Sequence, residues 1–294
     1  MSLFSKIKGT RGYLYRNLIA PRWYSWRDRK ILENNLALRG KYAGKRCFII
    51  AGGPSVSNID LAQLRNEYTF VMNDFNKNPQ FAKLNPKFYV ISDSLYFLEG
   101  STEYWPQELK RKSQNLPKDI TMFLGLGAKP FVEKYDLFSN HPLHYIGMQG
   151  IFTDNFPFNI ALDRYVPYPK NTLLVCLMTA TYMGFSTIYL LGCEHNFLSY
   201  NISAGKSVTY DHSYEDEISK LDPKNEKVVN KYFRPKDLNQ NYEKNIANIL
   251  QLFRNYKFFY AKAKKLYPGI KIYNATPDSF LDIFPMINFE DIKF

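Results

Sequence analysis

Short apolar runs, each followed by glycine or polar residues, recur along the chain and predict buried β-strands. Two longer segments have helical character: residues 171–184 are mostly apolar and stop at Gly184, and residues 241–266 stop before Pro268. The predicted strands lie at residues 46–51, 68–72, 88–92, 121–124, 144–146, 187–191 and 270–273. Strands that alternate with helices predict an α/β fold, with a mainly parallel sheet that helices cover on both faces.

The turn Gly52-Gly53-Pro54-Ser55 closes the first apolar run, at the sheet edge where ligands bind in such folds. Glycines let a backbone approach a ligand closely, and the N–H groups of a following helix, with the Ser55 hydroxyl, can hold a phosphate. We therefore predict that Gly52, Gly53, Pro54 and Ser55 bind a nucleotide. The turn matches neither the Walker motif nor Gly-x-Gly-x-x-Gly, so a plain strand-to-helix turn is the alternative.

Polar residues also follow three other predicted strands. Asn73 and Asp74 follow the second strand, where an amide or a carboxylate can reach a ribose or a base edge. A helix cap is the alternative role for this pair. Asp93 follows the third strand, and Glu194 follows the strand at 187–191. These four side chains complete the nucleotide site that the strand ends predict.

Two histidines are candidates for a general base, which near neutral pH is usually a histidine. His195 comes just after the strand at 187–191, and His212 lies in the polar stretch 199–240. That stretch has no steady period, and its length predicts a lid or an ordered loop. A structural role is the alternative for each histidine.

No Asp-x-Asp pair follows the predicted strands. Oxygen-rich metal sites need several carboxylates, so the sequence predicts no metal ligands and a site that works without a metal. The three cysteines, Cys47, Cys176 and Cys193, fit no metal motif and are predicted to be buried and inert.

The net charge of +12 suits phosphate-rich ligands, nucleic acid or anionic lipid. No zinc finger, RNA-binding aromatic signature or clean basic helix accompanies it, so nucleic acid is not expected as a partner. Residues 6–29 mix lysine and arginine with tyrosine, tryptophan and leucine, which suits a helix on an anionic membrane face. A helix packed on the domain, or a dimer contact, is the alternative.

The sequence has no secretory signal and no apolar stretch of membrane-spanning length. We therefore expect a cytoplasmic protein, with peripheral contact to the inner face of the cytoplasmic membrane through residues 6–29. The expected organisation is a basic, aromatic segment over residues 1–40, followed by one nucleotide-binding catalytic domain over residues 41–294.

Residues 48–60, Phe-Ile-Ile-Ala-Gly-Gly-Pro-Ser-Val-Ser-Asn-Ile-Asp, resemble the opening of the bacterial sialyltransferases that use CMP-sialic acid. Residues 71–75, Val-Met-Asn-Asp-Phe, resemble the next strand end of that family. Residues 171–192, with Thr172 near their start, are similar to its later helix–strand unit. Residues 273–285 resemble the tail of the MptE-like proteins, which are labelled after a 6-hydroxymethylpterin diphosphokinase.

This resemblance implies a Rossmann-like sheet of the type-A glycosyltransferase kind, Thr172 among the nucleotide contacts, and a base histidine in the lid. It implies a sugar donor linked to CMP, no cofactor and no essential metal, and a glycan or lipid-linked glycan as acceptor. The family's base histidine falls near residues 230–232, where this chain has Asn-Lys-Tyr. His195 or His212 would have to take its place.

Two other functions stay open at this point. An MptE-like diphosphokinase would use ATP with magnesium held by carboxylates, and the scarcity of paired carboxylates counts against it. A catalytically inactive nucleotide-binding protein is favoured by the missing family histidine.

Overall fold

Seven parallel strands form the central sheet of this computed structural model, in the order β5-β4-β3-β2-β1-β8-β9. The structure describes residues 14–97, 104–152, 159–197 and 242–294. The strands are β1 Arg46–Ile50, β2 Tyr68–Met72, β3 Phe88–Ile91, β4 Thr121–Gly125, β5 Leu143–Ile146, β6 Met148–Ile151, β7 Val166–Tyr168, β8 Thr187–Leu191 and β9 Lys271–Asn274. Strands β6 and β7 form a second, two-stranded parallel sheet. The predicted α/β, Rossmann-like fold is confirmed.

Seven α-helices lie within the described ranges. They are α1 Ala20–Arg27, α2 Arg29–Leu32, α3 Phe81–Leu84, α4 Tyr104–Asn115, α5 Lys129–Lys134, α6 Thr172–Tyr182 and α7 Tyr242–Leu266. A π-helical turn, Tyr15–Ile19, precedes α1. None of these helices is long and apolar enough to cross a membrane. The predicted lid at 199–240, with His212, lies outside the described residues.

The strand order changes direction between β1 and β8. From β1 the chain builds outward through β2, β3, β4 and β5, and later returns to the other side of β1 with β8 and β9. In parallel α/β sheets a crevice forms beyond the carboxyl ends of the strands at such a switch point. The loops that follow β1 and β8 lie on either side of it.

Helix α6 brings its first turn to this edge of the sheet. Its sequence carries no charged residue, and all eleven of its residues are buried, in contact with β1, β2 and β3. The Asn171 side chain caps its start by accepting from the Leu174 N–H at 3.2 Å. Gly184 ends it with a φ of +89°, where a Cβ would lie 2.9 Å from the Gly40 Cα, so only glycine fits.

The described part of the N-terminal segment packs on the domain. The buried Asn35 amide donates to the carbonyl oxygens of Tyr145 and Leu162, at 2.8 and 2.7 Å. Helix α2 continues directly into the 3-10 helix Glu33–Leu38, which contains Asn35. This segment is therefore fixed to the sheet domain along one side.

Candidate functional site

Three polar side chains meet at the carboxyl edge of the sheet, next to the first turn of α6. The Ser92 hydroxyl donates to Thr172 Oγ1 at 2.9 Å, and Thr172 Oγ1 lies 3.3 Å from Asn73 Oδ1, to which it donates. Asn73 has a left-handed backbone, with a φ of +53°, which asparagine tolerates better than most residues. We call these residues the Asn73 cluster. Thr172 and Asn73 were predicted as nucleotide contacts from the sequence, whereas Ser92, at the end of the third predicted strand, was given no role.

A pocket of about 380 Å³ adjoins the Asn73 cluster and shares Ser92 with it. Its volume is at the lower end of the range for small-molecule sites and fits one sugar ring or one nucleoside. Among the described residues, no charged side chain lines it. Its lining includes the aromatic residues Tyr24, Phe97, Tyr165 and Tyr168. We call it the tyrosine pocket.

A carboxylate occupies the turn for which a phosphate was predicted. The Ser55 N–H donates to Glu194 Oε1 at 2.8 Å, and a Cβ on Gly53 would lie only 1.5 Å from Glu194 Oε2. The Gly53 N–H donates to the Gly192 carbonyl oxygen at 3.1 Å, which closes the loops after β1 and β8 against each other. The turn thus holds an anionic group, but the group belongs to the protein itself.

The segment after this turn also differs from the sequence prediction. Residues Pro54–Asn58 form a 3-10 helix of five residues instead of an α-helix, with Gly52 half-buried and Pro54 exposed. The Ser55 hydroxyl caps no helix; its oxygen is buried and has no hydrogen-bond partner among the described residues. The helix N-terminus that was expected behind the turn is therefore missing, and α6 provides one beside Asn73.

A second cavity, of about 500 Å³, is lined in part by Ser55. Asp278, Glu290 and Asp291 are among the residues that line it. Three carboxylates repel a phosphate, so this cavity does not suit the phosphate of a nucleotide.

Asp74 does not face a nucleotide site. Its carboxylate lies 2.6 Å from the Lys112 ammonium and 3.4 Å from that of Lys77. Burial by itself would raise the pKa of Asp74, but the two lysines outweigh it and the pKa is lowered. Lys112 also donates to the Asn73 carbonyl oxygen at 2.7 Å, so this ion pair joins α4 to the end of β2. The prediction that Asp74 contacts a ribose does not fit this arrangement.

His195 is half-buried, and both of its ring nitrogens have partners. Nδ1 is 3.1 Å from the Cys193 carbonyl oxygen, and Nε2 is 2.9 Å from the Tyr256 hydroxyl. Because a carbonyl oxygen only accepts, Nδ1 carries the hydrogen and Nε2 accepts from Tyr256. Burial lowers the pKa of His195 to about 4.

This environment does not fit the prediction that His195 is a general base, since its lone pair faces a fully buried tyrosine. The Asn171 amide donates to the same Tyr256 oxygen at 2.7 Å. His195 thus acts through Tyr256 on Asn171, the residue that caps α6.

Two predicted site residues remain, Asp93 and His212. Asp93 is exposed directly after Ser92, and His212 lies outside the described residues. In the described ranges, no group of three His, Cys, Asp or Glu side chains could hold a metal ion. Cys47, Cys176 and Cys193 are free and buried as predicted, and burial raises the pKa of each thiol.

The chain matches no family model and no curated protein sequence. It is similar to the solved structure of the MAf glycosyltransferase from Magnetospirillum magneticum AMB-1, with a TM-score of 0.46 and 10% sequence identity over 90% of this chain. The match spans 39% of the length of that protein.

Proposed function

We propose that this protein is a glycosyltransferase that binds a nucleotide-sugar donor, linked to CMP, beside the Asn73 cluster and transfers the sugar to a cell-surface glycan. One observation supports the site: Asn73, Ser92 and Thr172 meet at the start of α6, and Ser92 also lines the tyrosine pocket. The sialyltransferase-like donor rests on the sequence resemblance alone.

The chemistry of the cluster suits a departing nucleotide. The start of a helix carries a partial positive charge and stabilises a phosphate on which negative charge develops. The Ser92 and Thr172 hydroxyls and the Asn73 amide can donate hydrogen bonds to its oxygens. The pocket next to them offers tyrosine rings on which a base or a sugar can pack.

In this proposal the donor needs no metal, and the base that takes the proton of the acceptor hydroxyl is His212. His195 has a different role, because it holds Tyr256 and through it Asn171, at the cap of the helix that faces the phosphate. It is a positioning residue.

Replacing Thr172 with valine is expected to weaken nucleotide binding about fivefold, since one hydrogen bond contributes about 1 kcal/mol. CMP, a CMP-sugar, UDP and ATP with magnesium would be compared by the rise in melting temperature, and dissociation constants would then be measured by calorimetry. CMP is expected to stabilise the protein without added metal.

Thr181→Val is the matched control, because Thr181 lies on the same helix and its buried hydroxyl has no partner among the described residues. Equal affinities in the two valine variants would move the site away from α6. Stabilisation by ATP with magnesium but not by CMP would favour the diphosphokinase, and no response to any nucleotide would contradict both enzymes.

Removing the Glu194 carboxylate is expected to tighten nucleotide binding about tenfold. The carboxylate competes with a phosphate for the Ser55 N–H, and its negative charge repels a phosphate bound nearby. Glu194→Ala should show the full gain. Glu194→Gln should show a smaller one, since the amide oxygen can still accept from Ser55. The comparison is made by calorimetry with CMP. Weaker binding in both variants would instead mean that Glu194 contacts the ligand directly.

A further inference from the structure

The N-terminal helical segment carries an outward row of large apolar side chains. Tyr15, Ile19, Trp23 and Trp26 are separated by four, four and three positions, so they share one side of the helix. Their exposed fractions are 55, 57, 51 and 73%. Apolar side chains exposed in a continuous row mark an interaction surface. We call this row the aromatic face.

The opposite side of the same segment is held firmly against the domain. Ala20 and Pro21 are buried, and the Tyr165 N–H donates to the Ser25 hydroxyl oxygen at 2.9 Å. The Tyr165 hydroxyl donates to the Asp28 carboxylate at 2.8 Å. Because these contacts fix the rotation of the helix, the aromatic face points outward in the folded protein.

The stretch of sequence that contains the aromatic face is strongly basic. The first 40 residues contain nine lysines and arginines against two acidic residues, which gives +7 of the chain's +12. Arg22 is exposed on α1, which also carries Trp23 and Trp26, and Lys30 is exposed on α2, the next helix along the chain. The surface that complements this combination is anionic on its outside and apolar beneath.

The apolar surface continues onto the small second sheet. Strand β6 packs against the π-helical turn and α1. Ile151 at the end of β6 and Tyr168 at the end of β7 are 41 and 48% exposed. Tyr168 and Tyr24 also line the tyrosine pocket, so the pocket borders this surface.

We propose that the aromatic face binds a lipid bilayer that contains anionic lipids. Tryptophan and tyrosine settle at the level of the lipid headgroups, and arginine and lysine bind the negative charge of the lipid surface. Resting on the proposed function, this places the mouth of the tyrosine pocket at the bilayer surface and makes the acceptor a lipid-linked glycan.

Vesicle co-sedimentation tests the binding without any catalytic step. The full chain is expected to bind vesicles of phosphatidylcholine with phosphatidylglycerol and to stay in solution with phosphatidylcholine alone. Trp26→Ala, and separately Arg22→Glu with Lys30→Glu, should each lower the partition coefficient roughly tenfold, and added salt should weaken wild-type binding.

The control variants make the same kinds of substitution at exposed residues outside the aromatic face. Phe280 is 61% exposed, and Phe280→Ala should bind like the wild type, as should Lys110→Glu with Lys118→Glu, which changes the charge equally at two exposed lysines. Wild-type-like binding by the Trp26 and arginine–lysine variants would overturn the proposal. The proposal would also be overturned if the wild type did not bind the vesicles but formed a dimer in solution, and Trp26→Ala were a monomer. The aromatic face would then join two copies of the protein. Since no nucleotide is present, these results do not depend on the proposed transferase.

Discussion

Replacing Asp74 with asparagine is expected to lower the free energy of unfolding by about 3 to 5 kcal/mol, because the change leaves the buried ammonium of Lys112 without its carboxylate. The Lys112 side chain has no exposed surface, and its Nζ lies 2.6 Å from Asp74 Oδ1. Burial lowers the pKa of Lys112, and Asp74 opposes that shift. Urea unfolding at neutral pH measures the loss.

Two further variants test whether the loss of stability comes from this buried ion pair. Glu133→Gln breaks the more exposed pair of Glu133 with Lys129, which should change the free energy of unfolding by less than about 1 kcal/mol. Asp74→Asn combined with Lys112→Met should be more stable than Asp74→Asn alone, since the buried charge is gone. If the double variant were as unstable as Asp74→Asn alone, the loss of stability would not come from an unpaired buried ammonium of Lys112.

The sheet could be predicted from the sequence because each of its strands is an apolar run. Strand β1, Arg46–Ile50, is buried at four of five positions, and the turn that follows it is rich in glycine. Strands β6 and β7 gave no such signal. They are short, lie outside the main sheet and, in β6, are half-exposed, so their pairing depends on the helix that packs against them.

The candidate site was predictable only in part, because strand ends indicate which residues are near a ligand and not which way their side chains turn. Asn73 and Thr172 lie at the same edge of the sheet, since their positions follow from the order of elements. Lys112 belongs to a run of three basic residues that is typical of a solvated surface, yet it is the one that turns inward to Asp74. No local pattern distinguishes it from its neighbours.

The contacts of Glu194 and His195 could not be predicted from the sequence either. Both follow β8 as predicted, but the contact of Glu194 with Ser55 joins residues 139 positions apart. The contact of His195 with Tyr256 joins the loop after β8 to α7, between residues 61 positions apart. Such pairings arise when the chain closes on itself, so a sequence pattern within one element cannot reveal them.

Replacing His195 with asparagine is expected to lower the stability at neutral pH and to remove a large part of its dependence on acid. The pKa of His195 is about 4 in the folded protein, against an ordinary value of 6.5. Between these two pH values His195 is protonated in the unfolded chain and neutral in the folded protein, so the wild type loses stability as the pH falls. From about pH 7 to about pH 4.5 that loss is about 2 kcal/mol.

Urea unfolding of both proteins near pH 7 and near pH 4.5 tests this expectation. Asparagine is the suitable replacement because residue 195 has a φ of +53°, which asparagine adopts readily. His144, whose pKa burial also lowers, is present in both proteins, so its contribution cancels. The difference in stability between wild type and variant should therefore shrink by about 2 kcal/mol on acidification. A constant difference would mean that His195 titrates like an exposed histidine. The buried environment that argues against His195 as a base would then be wrong, and so would its role in supporting Tyr256 and Asn171.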